Sequence, residues 1–220
     1  MKRRIITFLM LLVSWVSLAQ SKLITTKTES GKTVKFILHL PKSYDASKVY
    51  PVVVGPSELE NLNGSYYWKN FKSNDSWILI DAETYKGTGQ VNALKAIRKY
   101  LQANHSIEGD RFHAVCFSAN SSPIFKLVMA APELFHSVTG MPASVSASDS
   151  EYKKLEDVKV QFLVGEDDGY WLRSSRSLHA KFQKLGLDSR LEVFPDVGHF
   201  LILVRGQPLM DRLDKFRPKL

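Results

Sequence analysis

Between Arg111 and Ala131 the chain changes its rhythm. An apolar, strand-like run from Phe112 to Phe117 stops at the small residues around Ser118, and helical spacing takes over. Ile124, Leu127 and Val128 then fall on one face, with Pro123 in a first turn that tolerates its missing N–H. Other strand-like runs precede and follow it. Lys22 to Glu29 and Thr33 to Leu40 flank a turn at Ser30-Gly31-Lys32, and Tyr50 to Val54 and Trp77 to Ile80 are short and β-branched or fully apolar. Ser137 to Thr139, Val158 to Val164 and Arg190 to Phe194 complete the set. Helical faces lie between them: Val91, Leu94, Ile97 and Leu101, then about Ser174 to Leu185 with Gly186 as C-cap, then Pro208 to Phe216.

Strands alternating with helices imply parallel pairing, hence an α/β protein with a doubly wound, mostly parallel sheet flanked by helices. In such sheets ligands gather beyond the carboxyl ends of the strands. Ser118, Asp168 and His199 each follow closely on such an end, so a hydroxyl, a carboxylate and an imidazole are expected at one rim. The strand, the tight turn with a hydroxyl at its tip and the helix around Ser118 have the pattern of a nucleophile elbow. No internal repeat or interdomain linker interrupts the chain.

The first residues stand apart. Lys2, Arg3 and Arg4 precede an apolar run from Ile5 to Val16 and then Ser17-Leu18-Ala19, the layout of a signal peptide cut after Ala19. The run is short for a membrane span of about 20 residues. Residues 1–19 are therefore expected to be removed, leaving 20–220 as one exported domain, periplasmic or extracellular, with no stable membrane association. Its net charge would fall from +8 to +5, as 30 basic residues become 27 against 22 acidic ones. Those charges are scattered, with no basic run interleaved with aromatics, so nucleic-acid binding is not indicated. A single cysteine, Cys116, excludes an internal disulfide and a multi-cysteine zinc site. No phosphate-loop, dinucleotide or His-Glu-x-x-His pattern points to a cofactor or metal.

Simpler readings compete at several positions. Ser118 could be a plain N-cap, and Ser121 and Ser122 are expected to cap the helix. Asp167 could replace Asp168, although the Gly165-x-x-Asp168 spacing favours the latter. Cys116 precedes the turn and is expected to be a buried hydrophobe. His39, His105, His113, His136 and His179 have no partner pattern and are expected to be structural or superficial. The aromatic group Tyr66, Tyr67, Trp68 and Phe71 could be core or could line a pocket.

Four segments together resemble the α/β-hydrolase family, particularly esterase-like members of the dienelactone hydrolase and polyhydroxyalkanoate depolymerase groups. They are Phe112 to Asn120, Pro132-Glu133-Leu134-Phe135, Val164 to Asp168 and Pro195 to His199, within a likeness that runs from about Thr33 to His199. Both glycines of the usual Gly-x-Ser-x-Gly elbow are absent, since the chain reads Cys116-Phe117-Ser118-Ala119-Asn120. The resemblance implies Ser118 as nucleophile, His199 as base and then acid, and Asp168 as the group that orients the imidazole. It further implies an oxyanion hole from the N–H of Ala119 and a second donor after Val54, where Pro56 has no N–H and Ser57 is the expected residue. The implied activity is an exported serine hydrolase that cleaves carboxylic esters, small or saccharide-borne, without a cofactor and with minimal or no lid. A serine peptidase of the same fold and a non-catalytic binding protein on a hydrolase scaffold remain as alternatives.

Overall fold

The computed structural model describes residues 21–56, 66–68, 74–83 and 90–217. The signal-like segment 1–19, Ser57, Phe71 and the Gly87-Thr88-Gly89 stretch lie outside the described residues.

Within them, eight strands form one sheet: β1 Ser21–Lys27, β2 Thr33–His39, β3 Val52–Pro56, β4 Ile78–Ala82, β5 Phe112–Cys116, β6 Phe135–Gly140, β7 Lys159–Gly165 and β8 Ser189–Phe194. Their order is β1-β2-β4-β3-β5-β6-β7-β8. The β1–β2 and β2–β4 pairings are antiparallel and every other neighbouring pair is parallel. From β3 the sheet grows one way through β4 and the other way through β5 to β8. The topological switch therefore lies between β3 and β5, where a ligand crevice opens at the carboxyl ends. Ser118 follows directly on β5.

The alternation of side chains along each strand divides the core in two. On one face Phe36, Val52, Ile80, Phe112 and Phe162 pack with Leu94, Ile97 and Leu101 of α1 (Gln90–Asn104), Ile124, Leu127 and Val128 of α2 (Ser121–Ala130), and Leu178 and Phe182 of α4 (Gly169–Lys184). On the other, Val53, Leu79, Val115 and Leu163 pack with Leu209, Met210 and Leu213 of α5 (Gln207–Leu213) and with Tyr67, Trp68 and Trp77. Helices thus cover both faces, which is why the central strands read as unbroken apolar runs.

Two elements depart from the sequence expectation. A short helix, α3 (Asp149–Tyr152), carries a capping box in which Ser148 and Glu151 satisfy each other's backbone N–H groups. That Ser-x-x-Glu signature was legible in the sequence. Helix α4 begins at Gly169, directly after Asp168, five residues before the expected start. Its extra turn carries Tyr170, which is exposed, and Trp171, which is half-buried, aromatics of middling helix propensity.

Candidate active site

Ser118 has φ 54°, a left-handed conformation that is costly for any residue with a Cβ. Phe117 before it is fully extended and Asn120 after it is already helical (φ −73°, ψ −12°). The backbone therefore turns from β5 into α2 within three residues, and the strain sits on the serine itself, as at functional turns generally. Three bonds hold the turn. The Ser118 N–H donates to Pro142 O at 3.1 Å, the Asn120 N–H to Phe117 O at 3.0 Å, and the Ser121 N–H to Ser118 O.

Ser121 is not the helix cap that sequence suggests. It is the first residue of α2, completely buried, and the N-cap, Asn120, makes no side-chain capping bond. The Ser121 hydroxyl accepts from the Ser144 N–H at 3.0 Å and lies within donating reach of Ser118 O at 2.7 Å and Ser144 O at 3.1 Å. It thus ties the elbow to the loop after β6.

Asp168 and His199 are brought to Ser118 by a close approach of two loops. At Gly165 an added Cβ would stand 2.0 Å from Val197 O and 2.6 Å from Gly198 O, so only glycine lets the end of β7 touch the histidine loop. The Glu166 N–H donates to Phe194 O at 2.9 Å and the Asp167 N–H to Val197 O at 3.0 Å. Past this seam His199 Nδ1 lies 2.7 Å from Asp168 Oδ2, and His199 Nε2 lies 2.9 Å from Ser118 Oγ. A carboxylate only accepts, so Nδ1 carries the proton and, in the neutral ring, Nε2 accepts from the serine hydroxyl. Asp167 spends its N–H on the seam and its side chain is exposed.

Aromatic rings surround this chain of bonds. Phe117 lies 5.0 Å from the His199 ring, Phe200 5.5 Å and Trp171 5.6 Å, centroid to centroid. Tyr66 stacks on Phe117 at 4.1 Å, whereas Tyr67 and Trp68 are buried beneath, against Gly55. The aromatic group thus divides between site and core. Cys116 is fully buried with its Sγ near Thr139 O, and burial pushes its thiol far above the ordinary range.

A second Ser–His–Asp array, which sequence reasoning missed, shows what hydrogen bonds alone fail to specify. His39 Nε2 lies 2.8 Å from the buried Asp81 Oδ2, and His39 Nδ1 lies 2.7 Å from Ser21 Oγ. Ser21, however, sits on β1 directly opposite His39 in a regular antiparallel ladder, with no turn and no helix start behind it. This array fastens the edge strand. No local signal announces it, because His39 and Asp81 are 42 residues apart. Three of the other histidines also have side-chain partners: His105 with Tyr44, His113 with Ser137 and His179 with Ser189. Among the described residues no group of three or more His, Cys, Asp or Glu side chains is placed to hold a metal ion.

No family model and no curated protein matches the chain by sequence. Solved structures do match by shape. A thermostable esterase superposes with TM-score 0.64 at 17% identity, over 89% of this chain and 62% of its own. A CE1 ferulic acid esterase from Anaeromyces mucronatus gives 0.62 at 17%, over 84% and 86%. Porphyromonas gingivalis dipeptidyl peptidase 4 gives 0.68 at 14%, over 90% of this chain and 35% of that one. The chain has the α/β-hydrolase fold. At these identities the likeness is one of backbone. The order Ser118, Asp168, His199 along the chain and the strand ends that carry them are features of this chain itself.

Proposed function

We propose that this protein is a serine hydrolase that cleaves carboxylic esters through an acyl-enzyme on Ser118. The observation that carries the reading is the unbroken chain Ser118–His199–Asp168, at 2.9 and 2.7 Å, built on a serine held at positive φ. A serine hydroxyl is a poor nucleophile until a base takes its proton, and His199 Nε2 stands at that proton. As Oγ attacks the ester carbonyl carbon, the proton passes to Nε2 and the carbonyl π pair moves to oxygen. The start of α2 and the Ala119 N–H face that developing charge, with Ser57 the proposed second donor. The tetrahedral adduct collapses by breaking the bond to the leaving oxygen, which takes the proton from Nε2. Water then attacks the acyl-enzyme, gives a proton to Nε2 and releases the acid, and Ser118 recovers its proton. Asp168 stays ionised throughout and steadies the imidazolium.

The mouth suggests the kind of ester. Tyr170, Phe200, Ile202 and Leu203 are each more than half exposed, and all belong to the first turn of α4 or the chain after His199. Single exposed apolar side chains are ordinary, whereas several next to Asp168 and His199 in the chain favour an apolar ligand. We therefore favour an ester with an apolar or aromatic group, free or borne on a saccharide. The structural neighbour that acts as a ferulic acid esterase agrees with this choice. A peptidase reading draws its support from the match to dipeptidyl peptidase 4. Ser118 Oγ within hydrogen-bond reach of His199 supports the hydrolase reading over a non-catalytic binding protein on the same scaffold. The signal-like residues 1–19 lead us to place the mature enzyme outside the cytoplasm, which sequencing of its N-terminus would test.

The decisive experiment is labelling of the folded mature protein with a fluorophosphonate, beside Ser118→Ala and His199→Ala. Labelling that both variants lose supports the reading, and aryl esters compared with peptide amides then separate esterase from peptidase. A folded wild type that stays unlabelled overturns it.

A further inference from the structure

Ser118 and His199 are 81 residues apart, and the bond between them depends on the relative placing of two loops. The histidine loop is irregular, with Asp196 at φ 55° and Leu201 at φ 40°. Something outside it must fix it.

We propose that Tyr66, backed by Arg205, is a positioning residue that fastens the nucleophile turn to the histidine loop and so sets the Ser118–His199 contact; this rests on the hydrolase reading above. One face of the Tyr66 ring stacks on Phe117, the residue before Ser118, at 4.1 Å. The Arg205 guanidinium lies 3.5 Å from the same ring centroid, and two groups so close to one centroid occupy opposite faces. At the ring's edge the Tyr66 hydroxyl donates to the carbonyl of Phe200, the residue after His199. Arg205 Nη2 donates to that carbonyl as well, at 3.4 Å. Among the described residues no carboxylate pairs with Arg205, so its charge is directed at the ring face and at this one carbonyl. The adjoining backbone is locked too, since the Gly206 N–H donates to Tyr67 O at 2.9 Å. Burial raises the Tyr66 phenol above its ordinary pKa, which keeps it a donor.

A ring that merely filled space would need no hydroxyl, and that is the basis of the test. Tyr66→Phe, Tyr66→Ala and Arg205→Lys are compared with wild type in three measurements: the second-order rate of fluorophosphonate labelling of Ser118, kcat and KM on a p-nitrophenyl ester, and Tm. Tyr66→Phe is expected to lower both kcat and the labelling rate about tenfold, with KM and Tm nearly unchanged, as misplacement of reacting groups does. Tyr66→Ala loses the stack as well and falls further, and Arg205→Lys, which cannot lie flat on the ring, falls with Tyr66→Phe. Should Tyr66→Ala fail to fold, Tyr66→Phe still decides. Wild-type kcat in Tyr66→Phe overturns the proposal, and so does a loss confined to KM, which would make Tyr66 a substrate contact. An unlabelled wild type would instead remove the hydrolase reading beneath it.

Discussion

Cys116 on β5 lies directly opposite Gly140 on β6, in register across a parallel pair. Partners in register present their side chains to the same face, where Cys116 is fully buried and the room above Gly140 is taken by Ala143 and Phe125. An added Cβ at Gly140 would stand 2.3 Å from the Ala143 Cβ, which confirms how little room remains on that side. The residue two before the serine, glycine in the usual elbow, is here a cysteine whose side chain the core accommodates fully. The second missing glycine has a different explanation. Asn120 is exposed and takes ordinary helical angles, so nothing at that position demands glycine.

Exchanging the roles of these two positions tests the relationship. Cys116→Gly is expected to remain folded and active at a cost of about 1–2 kcal/mol, from backbone entropy and lost burial. Gly140→Ala would force Ala143 away and, through Pro142, disturb the bond that Pro142 O accepts from the Ser118 N–H. It should cost about 1–3 kcal/mol and most of the activity. Urea denaturation and ester turnover of both variants check this; an active Gly140→Ala would refute the packing argument.

Cys116 should be chemically silent. Its thiol is buried and its pKa is raised by desolvation, so the reactive thiolate is scarce in the native state. Iodoacetamide is expected to leave the folded protein unmodified and its activity intact, and to alkylate Cys116 only in denaturant. Mass spectrometry before and after unfolding measures this, and loss of ester turnover on alkylation of the native protein would point to a thiol at the site.

The seam at Gly165 brings Asp168 and His199 together. Gly165→Ala sets a methyl against two backbone carbonyls that have no side-chain rotamer to escape by. The expected loss is about 1–3 kcal/mol of stability with a disproportionate fall in kcat, as the histidine loop is displaced. Gly198→Ala is the control, since nothing lies within 4 Å of the Cβ it would add.

The two neighbouring carboxylates should differ sharply. Asp168 holds the Nδ1–H of His199 at 2.7 Å, so Asp168→Asn permits the wrong tautomer and is expected to lower kcat on the order of 10³–10⁴-fold. Asp167→Asn, exposed and engaged only through its N–H, should stay near wild type. Comparable losses in the two would overturn the assignment.

What was legible in the sequence follows from distance along the chain. The apolar runs gave the sheet and its parallel centre, and strand ends marked Ser118, Asp168 and His199, because each signal is local. The Tyr66 contacts to Phe117 and Phe200, the Cys116–Gly140 pairing and the His39–Asp81 bond join residues far apart, and no local pattern encodes them. The first turn of α4 is not legible because Gly169-Tyr170-Trp171 lacks helical signals and Asp168, at the N-cap position, makes no side-chain capping bond. The choice between core and pocket for the aromatic group could not be made from composition, since Tyr66 and Tyr67 are adjacent and do different things.

His113 offers a test of the fold by pH. Its ring is buried, with Nδ1 2.8 Å from Ser137 Oγ and Trp77 and His136 rings beside it. Burial first, then the His136, Arg217 and Lys159 charges, push its pKa down from 6.5 to about 3. Between those values the unfolded chain binds a proton that the folded chain refuses, so stability is full above pH 6.5 and falls as the pH drops toward 3. At pH 5 this one group should cost about 2 kcal/mol. His136 is lowered chiefly by burial too and acts with the same sign. Urea denaturation at pH 7.5 and pH 5 should therefore show a clear loss in wild type, and a smaller loss in His113→Asn, which can still bond to Ser137 but does not titrate. Equal losses in the two proteins would mean that the buried imidazole does not govern acid sensitivity.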